Sequence, residues 1–154
     1  MPPTARIIVR WLTLSAFAAW QGGFFFYATF VVPIATRVLE SARLQGAISQ
    51  QVTVWLNGLG AGALILFAID MGLTPTRKTS RWWTWRFMVV TQIALFALHP
   101  LLDSNFKPDE LDFTDRGQFK FHHGLYLWIH AAQWLAGLIW AWLTVKAWND
   151  HAPI

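Results

Sequence analysis

Three side chains with metal-type donor atoms sit at the facing ends of two apolar runs: His99 and Asp103 close the first, and His123 opens the second. Asp103 follows His99 by four residues, so on a helix the carboxylate and the imidazole share a face. That spacing suits a carboxylate that fixes an imidazole tautomer or joins it as a ligand. His99, His123 and Asp103 together offer an N,N,O set of the kind that holds a zinc or copper(II) ion, with metal–nitrogen distances of about 2.0–2.1 Å. Copper(I) would ask for sulfur, and the three methionines, Met1, Met71 and Met88, are not at this end. Haem b is a second cofactor to consider, because histidine is a usual axial ligand and four-helix bundles hold haem. Two imidazoles on neighbouring helices packed about 8–10 Å apart and facing the same way fit a small ion better than a macrocycle. A water-satisfied hydrogen-bond network that locks the helices is the structural alternative.

The element that must position these groups is a hairpin of two apolar helices between Gln92 and Gln133. Residues seven apart return to one helix face about 10 Å further along the axis. Gln92 and His99 therefore share a face of one helix, as do His123 and His130 of the next. In an antiparallel hairpin this places His99 level with His123 near the loop, with Gln92 level with His130 deeper down and His130 outside the His99–His123 cluster. His122 points about 100° away and reads as an interfacial bystander. Amides and imidazoles in an apolar span need partners, since an unpaired polar group there costs several kcal/mol.

Composition fixes the class of protein. Of the 154 residues, 55% are hydrophobic and only 13% charged, too apolar for an ordinary soluble chain. The reading is a single all-α integral membrane domain over 1–154, a four-helix bundle with spans at about 10–34, 52–71, 82–102 and 120–146. There are no cysteines, which excludes disulfides, thiolate metal sites and thiol catalysis. With twelve Lys and Arg against eight Asp and Glu, the surplus of cations flanks the spans, so it indicates anionic lipid and not nucleic acid. Arg6, Arg10, Arg77, Lys78, Arg81, Arg86 and Lys146 gather on one side, and the acidic residues other than Asp70 and Asp150 on the other. By the positive-inside rule both termini face the cytoplasm and the His-bearing mouth opens outward.

Taken in order, Met1–Arg10 with Ala16-Phe17-Ala18 imitates a signal peptide, but the apolar run continues to Ile34, so an uncleaved first span is expected. Tyr27 brings a hydroxyl into its outer half, Gln21-Gly22-Gly23 offers a packing notch, and Pro33 marks the approach to its outer end. Thr36–Gln51 has the pattern of a short interfacial amphipathic helix broken or bent at Gly46. The second span carries Asn57 near its outer end and the series Gly58, Gly60, Ala61, Gly62 and Ala63. With no preceding strand and no following Lys-Ser/Thr, these glycines serve tight helix packing and not a phosphate loop. Thr79 or Ser80 should cap the third span. Trp82, Trp83, Trp85, Trp140, Trp142 and Trp148 read as an interfacial aromatic belt. Residues 104–118 form the one long hydrophilic loop, a solvated connection or an acidic lid.

Gly22-Gly23-Phe24-Phe25-Phe26-Tyr27 with Val31-Val32-Pro33, Val52-Thr53-Val54-Trp55-Leu56-Asn57, His99-Pro100 with Asp103, and His123 with Tyr126-Leu127-Trp128 and Gln133-Trp134 together resemble a group of small bacterial four-helix membrane proteins of unknown function. That group is similar to the transmembrane protein 205-like and copper-resistance-protein-D-like families. The resemblance implies His99, Asp103, His123, Tyr126 and Gln133 as matching positions. Members carry a basic residue where this chain has Gly124, and they lack a histidine at position 130. Tyr27, Asn57, Gln92, Tyr126, His130 and Gln133 make up the candidate polar network or cofactor lining.

Two functions of different kinds follow. One is a membrane protein that binds or passes a metal ion or redox cofactor at its outer face. The other is a non-catalytic scaffold or accessory subunit that docks other membrane subunits. No nucleophile with its base, phosphate loop or acid–base carboxylate pair is present, so no named enzyme class is indicated.

Overall fold

A computed structural model describes residues 3–74, 76–107 and 112–150, and these are almost entirely helical. The first rod runs from Pro3 to Leu39 as α1 (Pro3–Phe17), α2 (Gly23–Phe26) and α3 (Val32–Leu39), joined by π-helical segments at Ala18–Gly22 and Tyr27–Val31. Then come α4 (Ala42–Leu73), α5 (Lys78–Ser104) and α6 (Arg116–Asp150). Between α5 and α6, β1 (Phe106–Lys107) pairs antiparallel with β2 (Asp112–Phe113), a two-residue ladder that leaves the all-α class unchanged. Asp109 and Glu110 of the acidic loop lie outside the described residues.

Among the described residues three helices are long and apolar enough to cross a membrane: Thr4–Leu39, Ala42–Leu73 and Thr79–Ser104. The fourth expected span, within α6, does not reach that hydropathy. Arg116, Lys120, His122 and His123 crowd its first turns, and His130 and Gln133 interrupt its middle.

The interfacial helix expected over Thr36–Gln51 is absent as a separate element. The chain turns instead at Glu40, whose φ of 50° is left-handed, and Ser41 caps the next helix by accepting from the Leu44 N–H at 3.3 Å. From there α4 continues through Gly46 for 32 residues. One interior glycine costs about 1 kcal/mol, less than the loss of a helical turn and the nucleation of a new one. Pro33 and Pro100 likewise fail to end their helices. Pro33 lacks the N–H that would bond Thr29, and Thr29 lies in the π segment, where that ladder is already reset. At the turn between α4 and α5 neither Thr79 nor Ser80 caps α5. The cap position is Arg77, left-handed at φ 51°, with its carbonyl receiving the Arg81 N–H at 3.2 Å.

The π segments change which side chains turn inward. A wider turn brings the consecutive residues Trp20 and Gln21 into the bundle together, at 3% and 5% exposure. Trp20 packs with Ala63, Leu64, Phe67, Met71, Met88, Ala136 and Trp140, and the Phe67 and Trp140 rings stack at 3.9 Å. In lipid such a core is held by close packing and not by exclusion of water, so notches matter. Only part of the glycine series supplies them. Gly60 leaves room for Trp20 Nε1 and Gln92 Oε1, which stand 2.7 and 2.8 Å from where a Cβ would be, while Gly58 and Gly62 face outward against nothing. Gly137 of α6 receives the Gln21 amide in the same way.

The aromatic belt is thinner than expected. Trp83 and Trp142 are exposed beneath Arg86 and Lys146, as anchors should be. Trp140 is buried, Trp85 donates to the Leu64 carbonyl at 2.8 Å, and Trp148 donates to Asp70 at 3.0 Å. These indoles belong to the bundle's interior bonding.

Candidate functional site

At the end of the bundle away from the chain termini, all four rods open around a cavity of about 720 Å³. Its α4 wall presents Gln45, Ser49 and Thr53; α5 brings His99 and Asp103; α6 brings Lys120, His123, Tyr126 and His130. The second π segment widens the first rod so that the consecutive Tyr27 and Ala28 both reach it. Volume and mixed lining fall within the range of small-molecule sites.

Within the wall, His99 is held at both nitrogens. Its Nδ1 stands 3.0 Å from Asp103 Oδ2, the i,i+4 contact expected from the spacing, and its Nε2 is 3.3 Å from Thr53 Oγ1. The Thr53 hydroxyl also lies 2.8 Å from the Ser49 carbonyl. It has two satisfied settings. Turned to His99, it donates to Nε2 and leaves the imidazole neutral with Nδ1–H on the carboxylate. Turned to Ser49, it accepts from Nε2–H and leaves the imidazole doubly protonated against the carboxylate. Either way both imidazole nitrogens keep a partner, so the ring is fixed in the cavity wall.

The deeper polar residues form a connected line across helices. Tyr126 OH accepts from Asn57 Nδ2 at 2.9 Å, Gln92 Nε2 donates to the Asn57 carbonyl at 3.3 Å, and Gln133 Nε2 donates to Gln92 Oε1 at 3.1 Å and to the Met88 carbonyl at 3.0 Å. On the opposite wall Tyr27 OH bonds Ser49 Oγ at 2.8 Å. Asn57, Gln92, Tyr126 and Gln133 are all buried, and Tyr27 is half-buried.

The level of the hairpin differs from expectation by almost one turn. Gln92 meets Gln133, not His130, and His99 lies beside Tyr126, with ring centroids 6.4 Å apart, not beside His123. A partner three residues later on α6 sits about 4.5 Å further along its axis. α5 runs on to Ser104 and the β ladder takes up the turn, so the apolar pattern alone does not fix the level. His123 is thereby carried toward the mouth, where it is exposed and stacks on Phe119 at 5.6 Å. His130 is brought into the same cavity one turn below Tyr126, where Phe24 stacks on it at 4.5 Å and Tyr126 meets it edge-on at 4.7 Å. The expected separation of His130 from the other two is thus replaced by a shared space.

This geometry does not suit the ion reading of His99, Asp103 and His123. Among the described residues no three His, Asp or Glu side chains stand close enough to hold a metal ion, and both nitrogens of His99 are already engaged. The same engagement removes His99 as a ready axial ligand for haem. His122 stays outside the cavity, against Phe121.

A second polar centre, which the sequence reading missed, lies at the opposite end. Asp70 and Arg81 form an ion pair at 1% and 0% exposure. Arg81 also donates to Thr144 Oγ1 at 3.1 Å and to the Thr74 carbonyl at 3.2 Å, and its guanidinium faces the Trp140 ring at 5.6 Å. Trp148 Nε1 supplies the second donor to Asp70, and Arg10 lies over the Trp148 ring at 5.2 Å. All four rods meet here. A signal was present in the sequence: Asp70 is an acid at the end of an apolar run, and such residues seek a cation nearby. No family model, curated protein or solved structure matches the chain.

Proposed function

We propose that this chain is a four-span membrane protein that holds a small organic molecule of the redox-cofactor kind in the cavity at its His99 end. The observation that carries this reading is the cavity itself, lined by all four rods and holding the hydrogen-bonded His99, Asp103 and Thr53 in its wall. α6 counts as the fourth span on packing grounds. It meets α5 at Arg81 and Thr144, at Gln92 and Gln133, and at His99 and Tyr126, so it occupies the same depth as a helix that is itself apolar enough to cross. Its polar residues face the interior, where an intramembrane His or Gln is tolerated.

A bacterial inner membrane with both ends cytoplasmic belongs to the same proposal, as does kinship with the transmembrane protein 205-like group. Support for the orientation comes from Arg6, Arg77, Lys78, Arg86 and Lys146 at one end. Arg81 leaves that tally, because its charge is spent on Asp70. The test is chemical analysis of protein purified in mild detergent: metal content, absorption spectrum and a solvent extract. An organic molecule in about stoichiometric amount fits the reading. Stoichiometric copper or zinc would restore the ion reading, a Soret band would indicate haem, and a protein free of all three would favour a scaffold.

A further inference from the structure

The polar, charged and apolar parts of the cavity lining are sorted by wall and by depth. On α4, Gln45 Nε2 donates to Ser49 Oγ, Ser49 Oγ also meets Tyr27 OH, and the Thr53 hydroxyl lies on the Ser49 carbonyl and on His99, which holds Asp103. These neutral groups satisfy one another and ask nothing of a ligand. The first rod brings Phe24, Ala28 and Val32 to the lining, and Leu102 and Leu127 extend that apolar surface.

The charge at the mouth is what remains for a ligand to meet. Arg43 at the start of α4, and Arg116 and Lys120 at the start of α6, are exposed members of the lining, against the carboxylate of Asp103, which faces His99. Arg43 and Arg116 have partners of their own. Lys120 makes no hydrogen bond or ion pair among the described residues, so its ammonium is available to the cavity. A cleft with an excess of one sign of charge concentrates ions of the other. Along α6, Lys120 stands about 15 Å nearer the mouth than His130, whose ring Phe24 covers at the inner end of the cavity. An anionic group is too costly to bury unpaired at that inner end, whereas an apolar body is at home there. Resting on the ligand-binding function proposed above, we infer that the cavity takes an amphiphilic anion, its carboxylate or phosphate head on Lys120 in the field of Arg43 and Arg116, and its apolar body inward against Phe24, Ala28, Val32 and Leu127.

Lys120 is thereby the residue that selects for negative charge, and its long stem lets the ammonium reach a head at the mouth while the rest of the side chain stays on the helix. Phe24, Tyr27 and Tyr126 give the body of the ligand, chain or ring, an aromatic surface to lie on. A cationic amphiphile has only Asp103 to turn to, and that carboxylate is already on His99 Nδ1. A small hydrophilic anion would leave the apolar inner surface unused, so head and body are both required.

The test uses the full chain in nanodiscs of zwitterionic lipid, with a fluorescent naphthyl-undecanoic acid, its methyl ester and the matching primary amine as probes, and inorganic phosphate as competitor. The readout is saturable fluorescence above that of empty nanodiscs. The parent should bind the acid about tenfold more tightly than the ester or the amine, and inorganic phosphate should not displace it. Lys120→Glu, at an exposed position, should keep its helix content, weaken the acid by about tenfold, leave the ester unchanged and strengthen the amine. Lys120→Arg should bind the acid like the parent. Equal affinity for the acid in the parent and Lys120→Glu would overturn the assignment of Lys120. Saturable binding of the ester or the amine as tight as that of the acid would overturn the anionic class while leaving the cavity's binding function standing. Displacement of the acid by inorganic phosphate would overturn the apolar seat. Saturable binding of none of the probes would overturn both the inference and the function on which it rests.

Discussion

Replacing Asp70 by Asn should cost this protein more stability than any comparable change at its surface. The substitution removes one charge and almost no volume. It leaves the Arg81 guanidinium, fully excluded from solvent, with only Thr144, the Thr74 carbonyl and an amide oxygen as partners. A buried ion pair broken by losing one member costs about 3–5 kcal/mol, because the survivor is an uncompensated buried charge. Arg81→Met should cost a similar amount, with Asp70 then facing only the Trp148 N–H. The double variant, Asp70→Asn with Arg81→Met, removes both charges and leaves Thr144 to find another partner, so it should lose only about 1–2 kcal/mol. Unfolding of all four proteins in one detergent, followed by circular dichroism, measures the cycle. Single variants as stable as the parent would refute the reasoning, as would a double variant whose loss equals the sum of the singles; either result would mean that water or lipid headgroups already solvate the pair.

Gly60→Ala should destabilise by about 1–3 kcal/mol, since its Cβ would press on Trp20 Nε1 and Gln92 Oε1, while Gly58→Ala, facing open space, should be neutral or slightly stabilising; thermal unfolding of both checks the notch. Asp103→Asn should leave copper and zinc content unchanged from the parent, because no three ligands converge at His99, and elemental analysis reads this directly. A cysteine introduced at the exposed Ser104 should label with a membrane-impermeant reagent in intact cells, and one at the exposed Thr79 only after the cells are opened; labelling of position 79 alone in intact cells would invert the orientation.

Much of the polar network was legible because an apolar setting makes each polar residue conspicuous. Tyr27, Asn57, Gln92, Tyr126 and Gln133 all stand out on that ground, and all find hydrogen-bond partners within the bundle. The contact between His99 and Asp103 was legible for a local reason, since both lie on one helix and the spacing alone fixes it. The level of α6 against α5 was not, because helix period says which face a residue takes and nothing about sliding along the axis. That is why Gln92 and Gln133, not Gln92 and His130, turned out to be partners. Nor do the π segments have a local signature; Trp20 and Gln21 in sequence look like one inward and one sideways residue of an ordinary turn. Asp70 does not stand out in the sequence, because a carboxylate at the end of a span reads as a boundary. Its role depends on Arg81 and Trp148, which reach it from two other helices.

Whether the cavity holds an organic ligand is tested directly by one comparison. The parent and Ala28→Trp, whose indole would fill the cavity from the second π segment, are extracted with their native lipid into nanodiscs and their solvent extracts compared by mass spectrometry. A ring-bearing, lipid-soluble molecule is expected at about one per chain in the parent, and its loss in Ala28→Trp. Extracts that match each other and contain only bulk lipid would contradict it.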